Sequence, residues 1–361
     1  MATIEKIHVL QFRNIENQYI KPNKDINLFV GDNAQGKTNL IEAIYFLGHN
    51  RSFKTKNLKD LIPFDKKSIK ISAEVDGSRV VLERSKSNNN ASVNKQKINN
   101  NSKLTHLLPT QIISPDRGFI VGGAPKLKRS YLDWGVFHME PAILQTYKSF
   151  NRALKNINTL FSSGDSKQVD FWLFELATLS VEISSARTNY IERLCKKMER
   201  PFLLKTIKPF SPNKTLSFLF SSGWTKEISC LDQEAIYGFL KKNINSFAKV
   251  KHLNYGPHKA TIDFFLDSQT EHHFSRGEQK SLSIMFWVAQ VLILVEMGVI
   301  PVVLIDDVSS ELDKQKIDLV LDCLLGLGVQ VFLTDIGKRA PAVDKKKTNS
   351  YKINSGVIEV F

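Results

Sequence analysis

A glycine-rich loop near the start of the chain and an acidic strand end near its finish constrain the fold most strongly. Residues 31–38 fit the pattern G-x-x-x-x-G-K-[ST]. The apolar residues 25–30 predict a strand that runs into this loop, and residues 39–47 predict a buried helix that leaves it. Asp306 and Asp307 end another apolar run. Because the two elements are so far apart, we expect one α/β head divided by an inserted segment.

The loop has the composition of a phosphate-binding site. In such loops, consecutive backbone N–H groups surround the phosphates of a nucleotide at a helix N-terminus. We expect the Lys37 ammonium to neutralise the β- and γ-phosphates of ATP, and so to act in catalysis, and the Thr38 hydroxyl to bind Mg²⁺. The predicted ATP-binding residues of the loop are Gly31, Asp32, Asn33, Ala34, Gln35, Gly36, Lys37 and Thr38.

The two adjacent carboxylates after the apolar residues 302–305 suit a metal and a water molecule. We expect Asp306 to hold Mg²⁺ through water or an intervening ligand. Asp307 is the predicted catalytic carboxylate, which accepts a proton from the attacking water or orients it. The alternative is a strand end capped at the surface without chemistry, and the phosphate-binding loop in the same chain favours the site.

A second helix start with anion-binding character precedes the acidic strand end. Ser275 is a predicted N-cap, and Gly277 and Gln279 follow it at the start of a helix. One γ-phosphate does not need two helix ends from one chain. If these three residues bind the nucleotide of another copy, ATP joins two chains into a dimer.

The charge balance favours a polyanionic partner. The formal net charge is +14 and the pI is near 9.5, which suits nucleic acid or an anionic membrane surface. The sequence contains no helix-turn-helix or zinc-finger motif. We therefore expect the protein to contact the phosphates of DNA without reading its bases. Any one basic cluster is more often a solvated face. The candidate DNA-binding residues are Arg51, Lys54 and Lys56 after the loop helix, and Lys126, Lys128 and Arg129 further on.

The cysteines and the N-terminus favour the cytoplasm. Three scattered cysteines contain no C-x-x-C pair, which argues against a disulfide framework and a zinc site. No basic segment followed by an apolar one opens the chain, so we expect no secretory signal. Residues 284–305 are almost wholly apolar, but the break at 298–301 predicts a buried helix followed by a buried strand, and not a membrane span.

The sequence pattern between the glycine-rich loop and the acidic strand end predicts several helices. Residues 127–161 and 169–204 have helical spacing and predict two antiparallel helices, the second with a buried face that includes Phe171 and Phe174. Residues 233–246 predict a further helix. We therefore expect a P-loop ATPase head, with mixed sheets and a parallel core sheet, formed by residues 1–120 and 250–361. Residues 121–249 would form an inserted, mainly helical arm domain.

With these motifs in order, the chain resembles the ABC-type ATPase heads of the SMC superfamily, and more closely the RecF family of bacterial recombination mediators. The resemblance runs nearly end to end. Two stretches point to RecF in particular: Leu132–His138 (LDWGVFH) and Tyr255–Lys259 (YGPHK). The stretches Leu10–Asn14, Gly122–Arg129, Ser275–Lys280 and Leu304–Asp313 also match.

The resemblance implies an ATP-dependent dimer that binds duplex DNA at single-strand gaps and hydrolyses ATP slowly for its release. It also implies action with RecO and RecR to load RecA, at the nucleoid in the cytoplasm. Arg13 matches a family position near the nucleotide phosphates. Gln111 is the candidate for a glutamine that senses Mg²⁺, and residues 310–313 match a segment that crosses the dimer interface.

Two departures keep other functions open. Thr334 stands where transporter ATPases carry a histidine, which argues against fast hydrolysis, and Arg276 stands where many ABC proteins have glycine. The alternatives are the nucleotide-binding subunit of a membrane transporter and a scaffold protein in which ATP is a static ligand.

Overall fold

The chain divides into two compact units. The computed structural model describes residues 2–114, 118–164, 168–198, 215–307, 314–336 and 347–360. Within these ranges, unit 1 runs to Phe119 and resumes at Lys280, and unit 2 begins at Ile120 and ends at Gln279.

Unit 2 is longer than the predicted insert of residues 121–249. Residues 250–279 belong to it as well. The physical reason is strand pairing, because Thr261–Leu266 pairs antiparallel with Leu216–Ser221. The return from unit 2 to unit 1 therefore lies in the first turn of a long helix.

Strands and helices alternate in a mixed order and are numbered here along the chain. The strands are β1 (Ile4–Phe12), β2 (Ile15–Ile20), β3 (Ile26–Val30), β4 (Ser68–Val75), β5 (Ser78–Ser85), β6 (Asn89–Val93), β7 (Gln96–Lys97), β8 (Thr110–Ile113), β9 (Leu216–Ser221), β10 (Thr261–Leu266), β11 (Gln269–Thr270), β12 (Val302–Ile305), β13 (Val331–Asp335), β14 (Thr348–Asn354) and β15 (Val357–Val360). The helices are α1 (Lys37–His49), α2 (Asn101–Leu107), α3 (Pro125–Met139), α4 (Ile143–Ser163), α5 (Val169–Met198), α6 (Gln233–Lys242), α7 (Ile244–Val250), α8 (Arg276–Glu296) and α9 (Lys314–Gly326).

Unit 1 contains two six-stranded sheets. One is antiparallel, in the order β2-β1-β4-β5-β6-β7, and the other has the order β15-β14-β3-β13-β12-β8. In the second sheet all neighbours are parallel except β14 and β15. The apolar side chains of α1 join residues of both sheets in one buried core. This core fixes the start of α1, and with it the glycine-rich loop, relative to the parallel sheet.

The burial of the parallel strands explains why the sequence is apolar in short runs. β8 and β12 are buried along their whole length, and β3 is buried at four of its five residues. Parallel strands covered on both faces read as continuous runs of aliphatic residues. The carboxyl ends of β3, β12 and β13 lie at one edge of the sheet, where polar residues begin.

In the described part of unit 2, the five helices α3 to α7 accompany the three-stranded sheet β11-β10-β9. The single helix predicted for residues 127–161 is two helices, α3 and α4. Pro141 follows Glu140, whose backbone leaves the helical region at φ −132° and ψ 80°. The residue before a proline disfavours helical dihedrals, which explains the break. The helix predicted for 233–246 is likewise interrupted, at Asn243.

The predicted buried face of α5 is only partly correct. Leu176 and Ile183 are fully buried, but Phe171 is 62% exposed and Phe174 is 50% exposed. Successive helix residues turn by 100°, so two phenylalanines on the edge of the apolar stripe lie outside the contact. The predicted end of this helix, beyond Met198, lies outside the described residues.

The apolar residues 284–305, long enough to span a membrane, form part of α8 and the strand β12 in unit 1. Within the described chain, α8 is the one helix long and apolar enough for such a span, and 78% of its apolar window is buried. Val302 begins β12 directly after Pro301. The predicted division into a buried helix and a buried strand is confirmed.

Candidate nucleotide site

The glycine-rich loop closes around a lysine ammonium. Residues 31–38 join the end of β3 to α1, which begins at Lys37. Lys37 Nζ donates hydrogen bonds to the carbonyl oxygens of Gly31 and Asp32, at 2.7 and 2.8 Å. A Cβ on Gly31 would lie 2.3 Å from the carbonyl oxygen of Ile353, so only glycine permits this approach. The predicted phosphate-binding residues thus form one segment around a buried cation.

Two turns that sequence reasoning did not assign to the site hold this loop from outside. Asn14 Nδ2 donates to the carbonyl oxygen of Gln35 at 3.2 Å. From the β14–β15 turn, Ser355 N–H donates to Gln35 Oε1 at 2.7 Å, and Gly356 N–H donates to the Gln35 carbonyl at 2.8 Å. Gln35 and Ser355 are 320 residues apart, so only the Ser-Gly dipeptide, typical of a turn, gave any signal.

Asp306 lies at the centre of the acidic strand end and is only 4% exposed. Its Oδ1 accepts hydrogen bonds from Thr38 Oγ1 at 3.1 Å and from Thr334 Oγ1 at 2.8 Å. Burial raises the pKa of the Asp306 carboxyl, and the hydrogen bonds from Thr334 and Thr38 oppose that rise. A carboxylate and a hydroxyl at this separation provide the hard oxygen ligands that Mg²⁺ prefers, so the residues fit the metal.

Asp307 follows in a strained backbone conformation. Its φ is +51°, in the left-handed region, and its N–H donates to Thr334 Oγ1 at 2.8 Å. Thr334, at the end of β13, therefore contacts both acidic residues. Non-glycine residues in this region cost free energy and cluster at functional sites. The structure brings Thr38, Asp306 and Asp307 together, as the sequence predicts.

Gln111 is not brought to this cluster. It pairs in register with Val303, three positions before Asp306. Side chains alternate between the faces of a sheet, so Gln111 lies on the face opposite that of Asp306. Ser114, the next residue after β8, lies there instead, with its Oγ 3.5 Å from Asp306 Oδ2. At the end of β8, the Ser114 hydroxyl, and not the amide of Gln111, is the polar group that reaches Asp306.

Arg13 is held by a carboxylate of α1. Its Nε and Nη2 form a bidentate ion pair with Glu42, which is fully buried and also accepts from Ser52 Oγ. The Ser52 hydroxyl in turn accepts from the N–H of Lys54 at 2.9 Å. Arg13 therefore anchors the segment that follows α1, while its side chain stays 23% exposed. Neither Glu42 nor Ser52 was singled out from the sequence.

The second anion-binding helix start has the geometry of a capping box. Ser275 Oγ accepts from Glu278 N–H at 3.2 Å, and Glu278 Oε2 accepts from Ser275 N–H at 2.9 Å. Ser275 and Gly277 are exposed. Gln279 differs, because its Nε2 donates to the carbonyl oxygen of Glu271 at 3.0 Å. The predicted residues 310–313 lie outside the described residues.

Comparisons with known proteins bear on the whole chain. The family model "RecF/RecN/SMC N terminal domain" matches residues 3–358. The DNA replication and repair protein RecF of Haemophilus influenzae strain 86-028NP is 32% identical, with 99% of each chain covered. RecF of Escherichia coli O7:K1 is 30% identical, with 96% of each covered. The chain belongs to the RecF family.

Solved structures agree with this RecF assignment. A structure of the recombination mediator protein RecF with ATP, from the RecFOR pathway, has a TM-score of 0.86 at 26% identity, covering 100% of this chain and 98% of that chain. The Smc head domain of Pyrococcus furiosus, at 14% identity and a TM-score of 0.56, shares the fold. The predicted α/β, ABC/SMC-like ATPase head is confirmed.

The basic residues proposed for DNA separate into two groups in this RecF family member. Arg51, Lys54, Lys56 and Lys126 are exposed. Lys128 is only 3% exposed and forms ion pairs with Glu271 and with Asp263, the latter at 3.9 Å. Its charge is neutralised inside unit 2, which argues against the predicted contact of Lys128 with DNA.

Arg129 and Lys54 also have neighbours that the sequence did not predict. Arg129 Nη1 donates to the carbonyl oxygen of Ala260 at 2.8 Å, so part of its guanidinium is occupied within unit 2. The charge of Lys54 lowers the pKa of Asp306, though less than burial raises it. Lys54 therefore lies within electrostatic range of the acidic cluster, near the nucleotide site.

Proposed function

We propose that this member of the RecF family is an ATP-controlled DNA-binding protein. Mg²⁺·ATP, bound at residues 31–38, would join two copies, and the dimer would bind duplex DNA at single-strand gaps without reading sequence. The observation that carries the proposal is the contact of Thr38 with Asp306 at the start of α1, because it places an oxygen ligand pair beside a phosphate-binding loop.

The residues of the loop have separate roles in binding. The backbone N–H groups between Gly31 and Thr38 hold the phosphates, and the Lys37 ammonium moves from the loop carbonyls to the phosphate oxygens. Thr38 and Asp306 would hold Mg²⁺, directly or through water, and the metal would supply positive charge to neutralise the β- and γ-phosphates. Asp307 orients the attacking water, held in place by the hydrogen bond of its N–H to Thr334.

Hydrolysis serves as a switch in this proposal. Thr334 supplies no imidazole, so it offers the γ-phosphate no proton-carrying group of the kind transporter ATPases have. Slow, DNA-stimulated turnover would then set how long the dimer stays closed. A family of DNA replication and repair proteins also gives the transporter alternative no support, and measurable turnover would exclude the static scaffold.

The proposal of a dimer depends on the exposed capping box at the start of α8. The Gly277 N–H and the Ser275 hydroxyl would bind the γ-phosphate of a nucleotide held by the partner copy, since both groups lie at a helix N-terminus exposed to solvent. The Ser275 hydroxyl would exchange its hydrogen bond to Glu278 for one to the phosphate. Each dimer would then contain two shared sites, as a two-fold interface requires. Arg13 would act near the phosphates from the side of Glu42.

The partners follow from the family. The related RecF structure belongs to the RecFOR pathway, and on that ground we propose that this protein acts with RecO and RecR to promote RecA loading. The sites of action would be cytoplasmic and nucleoid-associated, with no membrane. The net charge of +14 supports attraction to DNA phosphates.

A complementation experiment tests the shared site. Lys37→Met removes phosphate binding, and Ser275→Arg blocks the capping box, so each variant alone would lack turnover. When equal amounts are mixed, half of the dimers pair a working loop with a working capping box at one site, and turnover recovers to about a quarter of wild type. If both variants are folded and mass spectrometry detects mixed dimers, but turnover does not recover, the proposed shared site of the dimer is contradicted.

A further inference from the structure

A cationic cleft lies in unit 2, apart from the residues assigned to the nucleotide. It has a volume of about 310 Å³ and lies among α3, α4, α5 and the YGPHK stretch, residues 255–259. Among the described residues, the polar side chains that line it are Lys126, Arg129, Ser130, Tyr147, Asn151, Arg187 and His258, and Asp133 is the one carboxylate.

The wall of the cleft is built around a buried arginine. Arg187 is 3% exposed, and its Nε and Nη2 lie 2.9 and 2.8 Å from Asp133 Oδ1. Its Nη1 donates to the carbonyl oxygen of Pro257 at 2.7 Å. Tyr147 OH also donates to Asp133 Oδ1, at 2.6 Å. These bonds fix one guanidinium and use the single carboxylate of the lining to neutralise it.

The remaining cations form no ion pair within the described lining, although the charge of Asp133 opposes the lowering of the Arg129 pKa. Arg129 is held at the carbonyl of Ala260, and its pKa is lowered by burial and by the nearby charge of Arg187. The pKa of His258 is lowered by burial and by the charges of Lys259, Arg129 and Arg187. Lys126 adds a third permanent cation at the rim. Three cations against one carboxylate leave an excess of positive charge that an anion would balance.

Lys128, one residue from Arg129, shows what a purely structural cation looks like in this unit. It is buried against Glu271, which also accepts from the Gly122 N–H at 2.7 Å. Its charge and the hydrogen-bonding capacity of its partner are both satisfied. The cleft differs because its rim carries a cation and two neutral polar side chains, Lys126, Ser130 and Asn151, all exposed.

We propose that this cleft binds a backbone phosphate of the DNA, with Lys126, Ser130 and Asn151 as its outer contacts and Arg129 as its inner one. This inference rests on the proposed DNA-binding function and assigns part of it to unit 2. Charged and neutral hydrogen-bond donors together are the groups that contact phosphates without reading bases. A docking site for a protein would carry exposed aromatic or aliphatic side chains at its centre, whereas Phe150 and Ile183 of this lining are buried.

Two substitutions test the cleft, each with a matched control on α4. Asn151→Asp places a carboxylate in the cleft, and Asn156→Asp makes the same change outside its lining. Lys126→Gln removes a rim cation, and Lys155→Gln removes an exposed lysine that does not line the cleft. Affinity for a gapped duplex is measured over a series of salt concentrations. Each lost phosphate contact reduces the slope of log K against log salt by about 0.9.

The expected result is a slope reduced by about one contact in both cleft variants relative to their controls. The melting temperature of Asn151→Asp should be no lower than that of Asn156→Asp, because the new carboxylate relieves repulsion among cations. Cleft variants equal to their controls, with wild type still binding DNA, would overturn the cleft and leave the proposed function intact. Wild type that binds no DNA would overturn both.

Two further probes separate other anions from DNA. Inorganic phosphate and polyglutamate are titrated against wild type and Asn151→Asp. If Asn151→Asp weakens binding of either probe while its affinity for DNA equals that of Asn156→Asp, the cleft binds a free anion or an acidic protein, and the DNA assignment is wrong.

Discussion

Thr334 donates a hydrogen bond from its hydroxyl to Asp306 Oδ1, across two neighbouring parallel strands, at 2.8 Å. The same hydroxyl oxygen accepts from the N–H of Asp307 at 2.8 Å. One side chain thus fixes the carboxylate proposed for Mg²⁺ and the backbone of the residue proposed to orient water. The residue that distinguishes this chain from transporter ATPases is therefore a structural part of its site.

Removal of the Thr334 hydroxyl should lower the rate of ATP hydrolysis more strongly than it weakens ATP binding. Thr334→Val keeps the shape of the side chain, but it leaves the Asp307 N–H without its acceptor and removes one donor to Asp306. We expect turnover to fall about tenfold or more, and stability to fall by about 1–3 kcal/mol. Thr110→Val is the control, because Thr110 is equally buried in the same sheet and donates to the carbonyl of Leu108. Equal turnover in the two variants would contradict the role of Thr334.

The buried carboxyl of Asp306 should couple stability, pH and metal. Burial raises its pKa above the ordinary value of 3.8 in the folded protein. Without Mg²⁺, the folded state then binds more protons than the unfolded state between these two pKa values. Stability relative to Asp306→Asn should therefore rise as pH falls through the raised pKa. It should be lost as pH rises through that value.

Metal binding needs the ionised form of Asp306, so the Mg²⁺-dependent gain in melting temperature with ATP should shrink over the same window as pH falls. Thermal melts with Mg²⁺·ATP and with ATP plus chelator, from about pH 5 to pH 8, measure both effects. Asp306→Asn should abolish the Mg²⁺-dependent gain at every pH. A gain that persists unchanged in this variant would show that Asp306 does not hold the metal.

The β14–β15 turn should tighten the nucleotide site from the far end of the chain. Gly356 has φ +84°, and a Cβ there would lie 2.1 Å from the carbonyl oxygen of Asn14. Gly356→Ala should push this turn away from Gln35 and weaken ATP binding. Gly77→Ala is the matched control, because Gly77 has φ +72° with open space around a Cβ. Both variants place alanine in the left-handed region, so this strain is common to the two. Equal ATP affinity of the two variants in calorimetry would show that the turn does not contribute to the nucleotide site.

Lys128 should matter for folding and not for DNA. Lys128→Met leaves the buried carboxylate of Glu271 without its ion-pair partner, which costs about 3–5 kcal/mol. Lys126→Met, two residues earlier at an exposed position, should change the free energy of unfolding little. Denaturant unfolding compares the two variants. A Lys128→Met protein of wild-type stability with weakened DNA binding would restore the sequence-based prediction.

The sequence predicts those parts of the structure that depend on local patterns. The strand–loop–helix at residues 25–47 and the helix–strand at 284–305 are confirmed because a glycine-rich loop and fully apolar runs leave few alternatives. The break at Pro141 was missed because spacing alone continues through it. The exposure of Phe171 was missed because periodicity gives a stripe but not the width of the surface that covers it.

The parts of the site that were missed depend on pairing between distant segments. Ser114 contacts Asp306 because β8 and β12 are in a particular parallel register, and a shift of one residue would bring Gln111 to that face. Glu42 lies in an apolar helix, where nothing local announces that Arg13 will pair with it. Register and partner choice arise only in the folded chain, so composition and spacing could not supply them.

The most direct test measures the affinity of wild type and of Lys37→Met for a gapped duplex by fluorescence anisotropy, with and without Mg²⁺·ATP. A salt concentration of about 0.15 M screens weak attraction to the basic surface. The account predicts that ATP strengthens binding sharply in wild type and has no effect in Lys37→Met. Wild-type binding that is the same with and without ATP would contradict it, because the positive charge alone would then explain the affinity.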